Sequence, residues 1–493
     1  MQELRDHLAR IADLNHAAAI LEWDQETYMP DGAAESRAQQ VSTLRSLAHE
    51  LLTSDKTATL LEKTTPASET DNDLIRVSRR DLDKATRIPN RLVAAMAEAT
   101  GRAKGAWQKA RTTDRFATFQ PHLERIVELT LEQAEALGYE DTAYDALLDQ
   151  YEPDMKTRDV AATFADLRTH LVPLVAAIAS AEPLDDGPVH RAFDESSQWA
   201  FGLEVARDFG YDMNRGRQDK SAHPFSTSFS IDDVRITTRL ETDFFNPAFF
   251  GTLHETGHAL YEQGVDPELE RTPLAEGTSL GMHESQSRMW ENQIGRSLPF
   301  WRHYMGQARK HFPEALNGVL PEAMYAAVNK VEPSLIRVEA DEVTYNLHIM
   351  LRFELEQELV AGTLAVKDLP QAWNDRMEAY LGLRPGNDAE GVLQDIHWSL
   401  GAIGYFPTYA LGNLMSAQLF DAMLRDVPER DNLIETGSFA PILAWLRTNV
   451  HRWGRRKSAT DILQNTCGTG LDATPWLRYA RHKFGGLYGI ETG

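Results

Sequence analysis

The chain has 493 residues, with 50 Lys plus Arg against 74 Asp plus Glu and a formal net charge of −24. So acidic a surface repels phosphate backbones and anionic lipid, which argues against nucleic-acid and membrane partners. Cys467 is the single cysteine, so neither an intrachain disulfide nor a cysteine-based zinc knuckle is available.

From the N-terminus, Leu4, Leu8, Ile11, Ala18 and Leu21 keep mostly three- and four-residue spacing and predict an amphipathic helix. The opening carries no apolar signal core, and no uninterrupted apolar run reaches membrane-spanning length, so a cytoplasmic protein is expected. Val160, Phe164, Leu167 and Leu171 predict another helix, and such stripes read as core faces. Pro- and Gly-containing breaks fall at residues 182–188 and 383–388. Without an internal repeat, a low-complexity tract or a convincing linker, residues 1–493 are expected to form one mainly helical catalytic domain.

One stretch departs from the helical pattern. Residues 225–231 alternate apolar and polar, Asp232-Asp233 follows, and residues 234–240 continue in β-type residues. This predicts a hairpin with a short acidic turn. A strand edge of this kind can hold an extended peptide by main-chain hydrogen bonds.

Just downstream, His254-Glu255-Thr256-Gly257-His258 decides the chemistry. Residues four apart share a helix face, so His254 and His258 can grip one metal ion. Glu255 stands beside that ion without ligating it, where a general base for a metal-bound water belongs. Asn246 as N-cap, Pro247 at the first helical position and Gly264 as the stop frame a helix around the motif. Gly257 is a weak helix former, whose cost is explained by the close approach of a neighbouring segment or of substrate, or equally by ordinary close packing.

Two histidines need a third ligand. A third histidine at metzincin spacing is absent, since Tyr261 and Gly264 occupy the required positions. A downstream glutamate is the remaining common solution, and the candidates are Glu262, Glu268, Glu270, Glu276, Glu284 and Glu291. Spacing favours Glu284, on a helical pattern after the Glu276-Gly277 break, over Glu276. Farther on, Val343, Leu347, Met350, Phe353 and Leu359 predict a long helix near 342–360.

These residues carry a family resemblance. His223-Pro224-Phe225, Asp233-Val234-Arg235-Ile236-Thr237, the His-Glu-x-x-His core and His283-Glu284-Ser285-Gln286 occur in the order of the carboxypeptidase Taq family of zinc metallocarboxypeptidases. Ile336-Arg337-Val338-Glu339-Ala340-Asp341 and residues 391–398, ending in Asp395-Ile396-His397-Trp398, continue the match. The N-terminal Trp23-Asp24-Gln25-Glu26-Thr27-Tyr28-Met29-Pro30 resembles the family's opening. The resemblance implies a saddle-shaped helical fold with a deep groove and a small three-stranded β-sheet beside the zinc helix. It also implies a homodimer, removal of single residues from peptide C-termini with broad specificity, and Glu284 as third ligand of Zn2+, with Co2+ able to serve. An oligopeptidase cutting internal bonds of short peptides is the alternative.

Within that frame the oxyanion donor is expected to be Tyr409, with His397 second. The substrate's terminal carboxylate calls for arginine. Arg337, which the acidic segment Glu339–Asp341 could orient, is the first candidate and Arg235 the alternative. His223 is expected to line the substrate subsites or to cap the hairpin.

Overall fold

Leu4, Leu8, Ile11 and Ala18 turn inward along helix Gln2–Thr27 in the computed structural model, which describes residues 1–490. The described residues gather into two compact units, each assembled from three stretches of chain. The first comprises Met1–Thr86, Asp185–Val328 and Leu419–Gly470; the second comprises Arg87–Leu184, Asn329–Gln418 and the described residues from Leu471 on. One crossing, at Leu184 and Asp185, falls within the 182–188 break. Helices make up most of both units.

The first unit contains the only sheet among the described residues: strands β1 (Gly216–Lys220), β2 (Ser226–Ser230) and β3 (Asp233–Thr238) in the order β1-β3-β2. β2 and β3 form the expected hairpin, with a bulge between Ser228 and Ser230. β1 runs parallel to β3. Its sequence, Gly-Arg-Gln-Asp-Lys, has no apolar alternation, which is why periodicity missed it. Thr238 at the end of β3 donates to the Ala248 carbonyl at 3.2 Å and accepts from Thr252 at 3.2 Å. The sheet is thereby tied to the start of the helix that bears both histidines. Beneath that helix lies an aromatic core, where Phe201 stacks on Phe249 with centroids 4.9 Å apart and Trp301 packs on Phe245.

The second unit is built on helices Thr157–Ala179 and Tyr345–Val360. The first is the one helix among the described residues that is long and apolar enough to cross a membrane. Its row of Val160, Phe164, Leu167 and Leu171 is buried in the unit's core, with Phe164 against Phe353 at 5.2 Å. Helix Tyr345–Val360 starts two residues later than the Val343 periodicity predicts. It is buried nearly all round, including the polar His348, Arg352 and Glu356.

Candidate metal centre

Helix Asn246–Glu262 carries His254, Glu255 and His258, and helix Leu280–Arg288 carries Glu284. The first helix begins one residue earlier than its caps predict. Asn246 is its first helical residue, makes no side-chain cap, and Pro247 follows inside the first turn. Gly264 lies beyond the C-cap Gln263, and its role is spatial: an added Cβ would come within 2.5 Å of the His451 ring. The second helix is capped by Ser279, which accepts from the Met282 amide at 3.0 Å.

Gly257 explains how the two helices meet. A Cβ there would lie 2.5 Å from Ser287 Cα and 2.6 Å from the Gln286 carbonyl oxygen. The close approach expected at this glycine is thus made by the Glu284 helix. Gly277, in the preceding break, makes room for His283, whose ring carbon would lie 2.6 Å from an added Cβ.

That approach brings His254, His258 and Glu284 together, one ligand atom from each lying within 4.8 Å of the others. Both imidazole Nε2 atoms stand 3.5 Å from Glu284 Oε2. The other carboxylate oxygen of Glu284 is held by Arg288 Nε at 2.7 Å, and Ser287 Oγ reaches Oε2 at 3.2 Å. Glu276, the alternative from spacing, is exposed and pairs with Arg455 at 3.4 Å instead.

Each histidine is steered from its far side. His254 Nδ1 lies 2.9 Å from Glu291 Oε2, and Glu291 is itself held by Arg288 at 3.3 Å and Arg296 at 3.2 Å. His258 Nδ1 lies 2.7 Å from His283 Nδ1, and His283 Nε2 lies 2.6 Å from Glu262 Oε1. In the tautomer that offers both Nε2 atoms to a metal, His254 donates through Nδ1 to Glu291. His258 then donates to His283, which donates to Glu262. Such outer partners fix ring orientation and raise the basicity of metal-binding imidazoles. From sequence alone, Glu262 and Glu291 stand only as rival ligands and His283 has no role. The available signal was the placing of Glu262 one turn after His258 and of His283 beside Glu284.

The electrostatics suit a cation. Burial alone would raise Glu284, but Arg288 and His254 bring it well below its usual range. Glu291 comes down to about 2 against the same burial, through Arg288, His254 and Arg296. Burial lowers the His254 imidazole, yet Glu284 and Glu291 overcome it and lift His254 to about 10. His258, for which burial dominates, falls to about 3 and is neutral. The carboxylates therefore draw positive charge to the point where the ligand atoms converge. Two imidazoles and a carboxylate are a zinc-type donor set. Glu255, 6 % exposed, is raised by burial to about 7, where a carboxylate can both take and return a proton.

The remaining candidates divide between the units. Arg235, in the first, is bidentate to Asp233 at 2.8 Å and sits between the rings of Trp23 (4.4 Å) and Phe229 (4.9 Å). His223 is exposed in the turn before β2, its carbonyl accepting from Ser221 Oγ at 2.7 Å. In the second unit Arg337 is buried. It is oriented by Asp395, not by the acidic segment after it: Nε and Nη2 donate to Asp395 Oδ1 at 3.0 and 2.8 Å, and Nη1 to Tyr345 at 3.1 Å. Of that acidic segment, Asp341 instead accepts from the Val343 amide at 2.8 Å and from the Thr344 amide at 2.9 Å. Arg352, unnoticed in the sequence, holds the other oxygen of Asp395 at 2.7 Å. Tyr409 lies under Arg337 (5.2 Å to the ring centroid), with its hydroxyl 3.5 Å from His397 Nε2. Burial lowers His397 to about 4, so its ring is neutral.

The family model described as carboxypeptidase Taq (M32) metallopeptidase matches residues 3–484. Thermostable carboxypeptidase 1 of Thermus thermophilus is 42% identical over 99% of both chains. Carboxypeptidase 1 of Bacillus subtilis is 37% identical over 99% of this chain and 98% of its own. Among solved structures, the M32 carboxypeptidase from Deinococcus radiodurans R1 superposes with a TM-score of 0.97 at 43% identity, covering 99% of each chain. The apo-Mg carboxypeptidase of Pyrococcus furiosus gives 0.95 at 40% identity, covering 98% of each.

Proposed function

The chain belongs to the carboxypeptidase Taq (M32) metallopeptidases, and on that premise we propose that it removes single residues from peptide C-termini with broad specificity, using zinc and Glu255. The observation that carries this reading is the convergence of His254, His258 and Glu284 beside a buried Glu255. His254, His258 and Glu284 would hold the metal; Co2+ has the same ligand chemistry open to it. Bound zinc supplies Lewis-acid polarisation of the scissile carbonyl and acidifies water in its neighbourhood.

The protein's own groups do the proton work. Glu255 takes a proton from the attacking water and passes it to the nitrogen of the departing amine. Arg288 and Ser287 hold the Glu284 carboxylate in place, while Glu291 and the His283–Glu262 pair keep both imidazoles in the tautomer that presents Nε2. For the substrate's terminal carboxylate we assign Arg337 first and Arg235 second, with His223 lining a subsite. For the developing oxyanion we assign Tyr409 first and His397 second. Near-complete coverage of the relatives on both sides supports treating the whole chain as one catalytic domain. A cytoplasmic homodimer completes the proposal, and sedimentation of the purified protein tests its oligomeric half.

The deciding experiment is a time course of the zinc-loaded protein on a short peptide, free or amidated at its C-terminus, followed by mass spectrometry. Stepwise loss of single residues from the free peptide alone is the expected result. Internal cuts in both peptides would replace this reading with an oligopeptidase.

A further inference from the structure

A partly open cavity of about 200 Å³ lies at the surface of the first unit, lined by helix Gln2–Thr27, strand β2, residues 262–276 and Arg455. Leu8, Ile11 and Ile231 give it an apolar floor, and all three are buried. Over that floor stand four carboxylates, Asp81, Glu262, Glu270 and Glu276, against one guanidinium. Arg455 is already committed: its two terminal nitrogens hold Asp81 at 2.9 and 2.6 Å, and one reaches Glu276 at 3.4 Å. Glu270 accepts only the Ile231 amide at 2.9 Å, and Glu262 has His283 and, at 3.3 Å, Ser228 Oγ. Neither has a lysine or arginine partner among the described residues.

Two further lining groups face the same deficit. Ser78 is 1 % exposed, and its hydroxyl has no hydrogen-bond partner among the described residues. His16 is half-buried; burial lowers its pKa, leaving a neutral ring able to accept. An acidic cluster alone would say little in a chain of net charge −24. Here it is combined with a cavity, an apolar floor and a buried hydroxyl that lacks a partner. Buried polar atoms without partners are rare and costly. An ammonium or guanidinium is all donor and no acceptor, and its alkyl stem packs on apolar surface.

The geometry points to this cavity as a binding site for an alkyl chain ending in an ammonium or guanidinium group. The occupant is the side chain of a lysine or arginine residue in a peptide, or a free alkyl amine of the same chemistry. Glu262 joins the cavity to the metal centre, because its other oxygen holds His283 and, through it, His258. An effect on hydrolysis rests on the carboxypeptidase reading; binding does not.

The test is calorimetric titration of the intact protein with Nα-acetyl-lysine amide, with 1,5-diaminopentane, and with the neutral isostere Nα-acetyl-norleucine amide. The two cations should bind at least about tenfold more tightly than the isostere. Glu270→Gln keeps the acceptor for the Ile231 amide but removes the charge, and should weaken cation binding about tenfold. It should leave hydrolysis of an uncharged peptide unchanged. Ser78→Ala should weaken the same binding by a smaller factor. Equal binding of the isostere, no binding of either cation, or indifference to both substitutions overturns the proposal. Lysine-containing peptides whose KM is lower than that of norleucine analogues, and rises with diaminopentane, identify the peptide side chain as occupant. Binding of the diamine without that KM effect identifies the free amine. If the uncharged peptide is not cut at all, the carboxypeptidase reading fails while the titrations still decide this one.

Discussion

The two units each bury a knot of charges, and the knots are finished in opposite ways. In the second unit Asp395 receives Arg337 on one oxygen and Arg352 on the other, and Gln394 accepts from Arg352 at 2.8 Å and from the Arg337 amide at 2.9 Å. In the first unit Arg288 and Arg296 stand behind the carboxylates of Glu284 and Glu291, while two imidazole Nε2 atoms each lie 3.5 Å from one oxygen of Glu284. Both knots are buried, and in both the arginines hold a carboxyl below its usual range. Convergence of metal-ligating atoms separates a place for a cation from a place already closed by its own arginines.

The sharpest way to test this contrast is Glu255→Gln. Hydrolysis should fall by roughly two to four orders of magnitude, the usual weight of a positioned acid–base group. Metal content, read by elemental analysis, should stay at the wild-type level. Unchanged hydrolysis would remove Glu255 from the mechanism.

In the second knot pH should act through His348. Burial, helped by Arg352, lowers this fully buried imidazole from 6.5 to about 3. The unfolded chain therefore takes up a proton that the folded chain refuses. Stability from this group is whole above pH 6.5 and is lost as pH falls towards 3, by up to roughly 5 kcal/mol. Denaturant unfolding at pH 7 and pH 4 should show a loss that His348→Gln reduces by its own share, leaving the parts due to His258 and His397; an equal loss in both proteins would show that His348 titrates normally.

Asp395→Asn leaves two buried guanidiniums facing each other without their carboxylate. It should cost about 3–5 kcal/mol of stability, the usual consequence of breaking a buried pair from one side. Calorimetry would register this as a large drop in Tm. Metal affinity should be unaffected, because the ligands do not touch this network.

The smallest effect belongs to Glu291→Gln. Loss of the charge behind His254 should weaken metal binding by about 10–100-fold, as outer partners of metal-bound histidines generally do. Competition with a chromophoric chelator measures it. An unchanged affinity would mean that Glu291 serves only its arginines.

Local periodicity made a good part of this molecule legible. Helix Gln2–Thr27, helix Thr157–Ala179 and the β2–β3 hairpin follow from spacings of three to four or of two residues. β1 escaped because a short, charged strand buries only Gln218 and Asp219 and has no apolar rhythm. The partners of Arg337 escaped for a different reason. Asp395 and Arg352 lie far from it in sequence, and no pattern in one chain measures a long-range approach. The acidic residues beside Arg337 were the visible choice, but Asp341 is committed to the Val343 and Thr344 amides.

By itself the sequence determined that His254 and His258 share a helix face with Glu255 beside them, because helical geometry links residues one turn apart wherever the helix packs. It also determined that no cysteine chemistry competes with this motif, since Cys467 stands alone. Only the tertiary structure decided which glutamate meets the histidines and which residues steer them from behind. The reason is steric: Gly257 lets the backbone at Gln286 and Ser287 come in, which carries Glu284 and His283 to the imidazoles and leaves Glu276 on the surface with Arg455.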